Sequence, residues 1–178
     1  EGAPAFAMGV SITPAVARHR DARLPFLVYL RNPTTGGVMA SWGSSGHFTF
    51  AEPGALLGFL GPRVVELTTG TGIPEGVQTA ENLFERGIID GVISPEGLRG
   101  SVRRTVDGLM PDVDTAEPAP PPNAVPDGRS AWESILRTRE PSRPGGGDIL
   151  AALEDRSVPL SGTGDGESDR AVRAVLAR

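Results

Sequence analysis

Asn32-Pro33-Thr34-Thr35-Gly36-Gly37-Val38-Met39-Ala40-Ser41 follows directly on an apolar run, Pro25 to Leu30, and the pair decides how the rest of the chain is read. The run has the length and composition of a strand buried on both faces. The glycine pair ends it and lets a short helix start. With no Cβ at Gly36 or Gly37, the backbone can come close to another group. The first N–H groups of a helix have no partner within it and carry the positive end of its dipole. Such a turn suits an oxyanion hole, a phosphate cradle or a plain helix start, and the decapeptide alone leaves all three open.

Two later stretches narrow the choice. The first is Ala51-Glu52-Pro53-Gly54-Ala55-Leu56-Leu57-Gly58-Phe59-Leu60-Gly61-Pro62-Arg63-Val64; the second runs from Pro74-Glu75-Gly76-Val77-Gln78-Thr79-Ala80-Glu81 to Ile89-Asp90. Taken in this order with the glycine turn, they resemble the β half of acyl-CoA carboxylase carboxyltransferases. The resemblance covers residues 1 to about 110. It implies an α/β fold of the crotonase-like kind, a spiral of repeated ββα units. It also implies that Glu1-Gly2 are the tail of a glycine-rich turn, so that the spiral is truncated at both ends.

The same resemblance implies a chemistry and a site. Carboxybiotin, held on a partner biotin carboxyl carrier protein and charged by a biotin carboxylase, gives its carboxyl group to acetyl- or propionyl-CoA. The product is malonyl- or methylmalonyl-CoA, the former for fatty-acid biosynthesis. In the family's reaction the ureido nitrogen of biotin removes the α-proton. The protein mainly stabilises two oxyanions with backbone N–H groups, and one such donor is worth about 2.7–4 kcal/mol of barrier. Gly36 and Gly37 fall where one hole is expected. Thr35, Val38, Phe59 and Gly61 fall where the acyl-CoA is bordered. Arg63 is either a helix-surface residue or a contact to a CoA phosphate. No residue is expected to hold a metal. The active protein is expected to be a homo-oligomer, because relatives form the site where a β half of one protomer meets an α half of another.

Local signals divide the chain further. Ala3 to Ala22 reads as a helix with Phe6, Val10, Ile12, Val16 and His19 inward, kinked or split by Pro14; His19 reads as part of a solvated basic end. Phe48 to Ala51 alternates like a short strand, and Ala55 to Phe59 reads as another. His47 reads as a structural loop histidine. Pro62 at a first helical position opens Arg63 to Thr69, and a helix from Thr79 stops at Gly87. Ile88 to Ile93 reads as a strand, and Ser94 caps a helix to Met110. Ser130 and Glu133 form a capping box, and Asp148 opens a last short helix through Glu154.

Pro111 to Gly128 breaks this pattern with prolines and acidic residues, as an extended linker does. Beyond it, Ala131-Trp132, Arg137 and Pro141-Ser142-Arg143-Pro144 resemble, more weakly, the opening of the carboxyltransferase α half. The expected division is therefore a β-like domain over 1–110, a Pro-rich linker over 111–128 and the start of an α-like domain over 129–178. Leu160 to Glu167 is glycine-rich and phosphate-friendly, but fits neither a P-loop nor a dinucleotide fingerprint.

Composition sets the outer bounds. The 178 residues suffice for a domain with a real core, but aromatics are only 5%, so Val, Leu, Ile and Ala must fill it. With 24 glycines and 17 prolines, part of the chain approaches the composition of unfolded segments. A net charge of −5 argues against a general nucleic-acid binder. Cysteine is absent, which removes thiolate nucleophiles and cysteine zinc sites from this stretch, including the four-cysteine module that relatives often carry upstream. No apolar run is long enough to span a membrane and no leader pattern is present, so the cytoplasm is expected.

The inventory of reactive side chains is poor: two separated histidines, no G-x-S-x-G, and one D-x-D at Asp112 and Asp114 inside the linker. That poverty fits a reaction run on backbone donors. Two other functions stay open. Hydration or isomerisation of an enoyl-CoA needs a carboxylate aimed at the thioester, and only Glu52 is placed for it. A non-catalytic, partner-binding piece of a carboxylase complex needs no site at all.

Overall fold

Phe48–Ala51 (β3) is the strand on which the molecule is built. In a computed structural model that describes residues 3–110, 128–161, 169 and 171–177, all four of its residues are buried. It lies between Leu27–Leu30 (β1) and Gly91–Val92 (β5), both parallel to it. The apolar run Pro25 to Leu30 is therefore not the strand buried on both faces. Only Leu30 of β1 is fully buried, and β1 forms an edge of this sheet.

Side chains alternate across the sheet with the period of two that a strand imposes. Val28, Leu30, Ala51 and Val92 face a core shared with Met39, Ala55, Leu57, Ala80, Leu83 and Ile89. Leu27, Tyr29, Phe48, Phe50 and Ile93 face a smaller core completed by Val158 and Leu176. The last two belong to a hairpin that sequence patterning does not reveal, Ser157–Leu160 (β6) against Ala174–Ala177 (β7), antiparallel. The hairpin packs on Pro95–Leu109 (α4). Gly108 makes room for it: a Cβ there would stand 2.9 Å from Leu176. Residues after the Pro-rich stretch thus help to close the core of the residues before it.

A second parallel pair, Thr34–Thr35 (β2) with Leu57–Gly58 (β4), lies beside the first sheet. The strands expected over Ala55 to Phe59 and Ile88 to Ile93 shrink to the dipeptides Leu57–Gly58 and Gly91–Val92. The helices come close to expectation. Pro62–Thr69 (α2) starts on its proline, Ala80–Glu85 (α3) is capped by Thr79 and followed by Gly87 at φ 70°, and Ser94 caps α4. Ser130 and Glu133 form the capping box of Ala131–Thr138 (α5). The last helix is Gly146–Ala152 (α6): Asp148 does not open it but sits in its first turn, accepting the Gly145 N–H.

Ala3–Asp21 (α1) runs through Pro14 as one helix rather than two pieces. Ile12, Val16 and His19 are half-buried, whereas Val10 is exposed, and the side chain of Phe6 is outside the described set. The linker expected over 111–128, Asp112, Asp114 and the glycine-rich turn beyond Ser161 lie outside the described residues, save Gly128 at the linker's end. Among the described residues no helix is long and apolar enough to cross a membrane.

Candidate functional site

The β2–β4 pair brings two of the three sequence motifs side by side. Thr35 is in register with Gly58, so the chain leaves β2 as Gly36-Gly37-Val38 and leaves β4 as Phe59-Leu60-Gly61 at the same end of the ladder. Five of the six residues that the sequence points to (Gly36, Gly37, Val38, Phe59, Gly61) lie in these two exits; the sixth, Thr35, is the last residue of β2. Phe59 and Leu60 are large and apolar, yet 55% and 50% exposed. Val38 is also exposed, while its neighbour Met39 is anchored in the larger core.

The glycine turn differs from the expected helix start. Ala40 N–H donates to the Gly36 carbonyl at 3.0 Å, but the chain then tightens: Ser41 and Gly43 N–H both donate to Val38, and a single 3-10 turn follows at Trp42–Ser44. No helix forms here whose dipole could add to the site. Nor are the two glycines equivalent. Gly36 has φ 72°, a left-handed conformation that favours glycine, and its N–H is spent on the Gly58 carbonyl at 3.0 Å. Gly37 has no such φ, its N–H takes no acceptor among the described residues, and a Cβ on it would meet nothing within 4 Å. Of the pair, Gly37 is the one with both a donor and space to offer.

Long-range hydrogen bonds lock the motifs together, and they explain why three separate stretches read as one unit. Glu52 accepts the Asn32 N–H at 3.2 Å and lies 3.5 Å from the Arg31 guanidinium. Asn32 in turn accepts the Leu56 N–H at 2.9 Å through its side-chain oxygen. From the third motif, Glu81 accepts the Gly54 N–H at 2.8 Å, and the Gln78 carbonyl accepts the Leu57 N–H at 2.9 Å. The Gln78 side chain then donates to the Leu60 carbonyl at 2.7 Å. The sequence motifs contain Asn32, Gln78 and Glu81 but assign them no role. A side-chain amide or carboxylate next to a loop of glycines and prolines was the available signal, since such loops need partners for their N–H groups.

Glu52 is therefore committed to the turn and is not aimed at an open space. The histidines are committed too. His47 accepts the Phe26 N–H at 2.9 Å through Nδ1 while its backbone N–H donates to the Phe26 carbonyl at 2.7 Å. Burial, with the Arg20 and His19 charges nearby, holds its pKa below the usual histidine value. His19 does not sit in a solvated helix end: it is half-buried, 2.8 Å from the Pro25 carbonyl and edge-on to Phe26. Arg63 is on the exposed surface of α2. Among the described residues no group of three or more metal-ligating side chains comes together. Next to the turn, Thr13, Val16, Ala17 and Arg20 of α1 face Ser41, Trp42 and Ser45 across a groove of about 250 Å³.

The chain is 51% identical over 178 residues, 98% of its length, to a protein of Mycobacterium tuberculosis named a probable biotin-dependent acyl-coenzyme A carboxylase beta3 subunit. The chain is homologous to biotin-dependent carboxylase β subunits. A Mycobacterium bovis protein of the same name matches to the same extent. An acetyl-coenzyme A carboxylase carboxyl transferase subunit beta from Methylobacterium is 50% identical over 108 residues, 61% of this chain. No family model matches. The chain spans about a third of the length of these carboxylase relatives, 35% in each case. The match to the mycobacterial β subunits runs through the Pro-rich stretch, consistent with a hairpin after it that packs on the strands before it.

Proposed function

We propose that this chain carries the acyl-CoA side of a carboxyltransferase site in a biotin-dependent acyl-CoA carboxylase. The observation that supports this reading is the β2–β4 register, from whose one end the chain leaves as Gly36-Gly37-Val38 on one strand and as the exposed apolar pair Phe59 and Leu60 on the other. A thioester carbonyl at Gly37 would receive a backbone hydrogen bond as it gains enolate charge, and the acyl chain would lie toward Phe59. Thr35, Val38 and Gly61 border that position. Gly36 acts through shape: it turns the chain so that Gly37 faces outward.

The carboxyl group comes from carboxybiotin on a carrier protein. What this chain's residues do is bind and orient the thioester and stabilise its oxyanion. In that reading the acceptor is acetyl-CoA or propionyl-CoA, the architecture is a crotonase-like spiral, and the complete protein is a homo-oligomer working with a biotin carboxylase and a carrier in the cytoplasm. Residues 129–178 are read as the opening of a second, α-like half. The engagement of Glu52 by Asn32 and Arg31 speaks against enoyl-CoA hydration, which would need that carboxylate free.

The test is transfer by the complete polypeptide. Carboxylation of acetyl-CoA and propionyl-CoA is measured with charged carrier protein, alongside hydration of crotonyl-CoA. Carrier-dependent carboxylation of either substrate supports the reading. Hydration without carboxylation, or binding of the carrier with no turnover, overturns it.

A further inference from the structure

We propose that Gln78 is a positioning residue for the acyl-CoA, acting through the Leu60 carbonyl; this rests on the acyl-CoA reading above. Three observations carry it. The Gln78 side-chain amide spans to Leu60 and donates to its carbonyl at 2.7 Å, across eighteen positions of sequence. It lies against Gly58, so closely that a Cβ on Gly58 would collide with the amide nitrogen. Its other amide atom, Oε1, is buried without a hydrogen-bond partner among the described residues.

The first two place the amide like a missing third strand. β4 is held on one side by the Gly36–Gly58 and Thr34–Leu56 hydrogen bonds, and on the other by the backbone and side chain of Gln78. Among the described residues, Phe59, Leu60 and Gly61 leave that ladder with a single side-chain fastening, the one from Gln78. The third observation says what the fastening is for. A buried acceptor without a partner is costly, and an apolar side chain of the same length would avoid that cost. Only the donor end of the amide is used, and through the Leu60 carbonyl it holds the Phe59–Gly61 backbone as it leaves β4.

Gln78→Met in the complete polypeptide tests this, because methionine keeps the length and removes both amide atoms. Acetyl-CoA binding is measured by calorimetry, the melting temperature without ligand, and the KM for free biotin in reverse transfer from saturating malonyl-CoA. The expected result is an acetyl-CoA Kd about tenfold higher, a biotin KM within about twofold of wild type, and a melting temperature unchanged or raised. Gly58→Ala, which displaces the amide, reproduces the loss, and combining it with Gln78→Met adds nothing further. An unchanged Kd in Gln78→Met overturns the proposal, as does a variant that fails to fold, an equal shift in the biotin KM, or additive losses in the double variant. Failure of wild type to bind acetyl-CoA and propionyl-CoA is a different result, and removes the acyl-CoA reading itself.

Discussion

The N–H of Gly36 donates to the carbonyl of Gly58 at 3.0 Å. One hydrogen bond therefore both joins the two motifs and takes Gly36 out of the set of free donors. Gly37, with open space around it, keeps an N–H without an acceptor among the described residues.

The two glycines should answer to mutation in opposite ways. Gly37→Val finds open space and an ordinary backbone, so its melting temperature should stay near wild type. If a thioester occupies that space, kcat/KM falls by about a hundredfold or more, the scale of losing one oxyanion donor. Gly36→Ala should instead lose about 1–2 kcal/mol of stability, because alanine resists φ 72°. Chemical denaturation and carboxylation assays on both variants check this; unchanged turnover in Gly37→Val would sink the oxyanion assignment.

Asn32→Ala removes the acceptor for the Leu56 N–H and should cost about 1 kcal/mol. Thr79→Ala should cost a similar amount, about 1 kcal/mol, by uncapping α3. Asn32 touches the β2–β4 frame directly, so only Asn32→Ala is expected also to weaken acyl-CoA binding. Urea titration paired with calorimetry separates the two.

Asp90 accepts the Thr49 N–H at 2.8 Å and the Ser161 N–H at 3.3 Å, and so ties β3 to the residue that follows β6. Burial raises its pKa above the ordinary aspartate value of 3.8, against the lowering effect of those two hydrogen bonds. An acid whose folded pKa is raised binds its proton more readily when folded. Its contribution to stability is therefore lost as pH climbs from 3.8 through the raised value. Asp90→Asn removes that loss. Stability of the variant minus that of wild type should rise with pH across this window and then level off; a difference that is flat or falls with pH contradicts the burial argument.

Val158 fills the smaller core between Phe48, Phe50 and Leu176. Val158→Ala should cost roughly 1–3 kcal/mol. The Pro-rich composition of 111–128 directs proteolysis there. After such a cut, the two fragments should elute together, held by the hairpin on α4. Separate elution would show that the docking is too weak to matter.

Legibility in the sequence followed the range of the interaction. Helix starts and stops depend on residues within one turn, which is why Ser94, Thr79, Gly87 and the Ser130–Glu133 box were all readable. Sheet order is not local. Pro25 to Leu30 has the more apolar run, yet Phe48–Ala51 takes the centre because it has neighbours on both sides, which no window of sequence displays. The hairpin was hidden for the same reason: Val158 and Leu176 look ordinary until Phe48 and Phe50 are placed beneath them. That the stretches holding Gly36, Gly37 and Phe59 form one unit was suggested by motif order, and β2 does pair with β4. The difference between Gly36 and Gly37 was not, because it turns on a hydrogen bond to Gly58.

The hairpin's seat on the first sheet bears on how such chains can be recombined. A Pro-rich stretch invites cutting and rejoining, as though the residues on its far side were an interchangeable cassette. Yet Leu176 fits against Gly108, and Val158 against Phe48 and Phe50, across that junction. A chimera that draws residues 129–178 from a relative inherits half of a complementary surface. It will be sound only where donor and recipient agree on all of those positions together, so exchange points are better sought after the hairpin than before it.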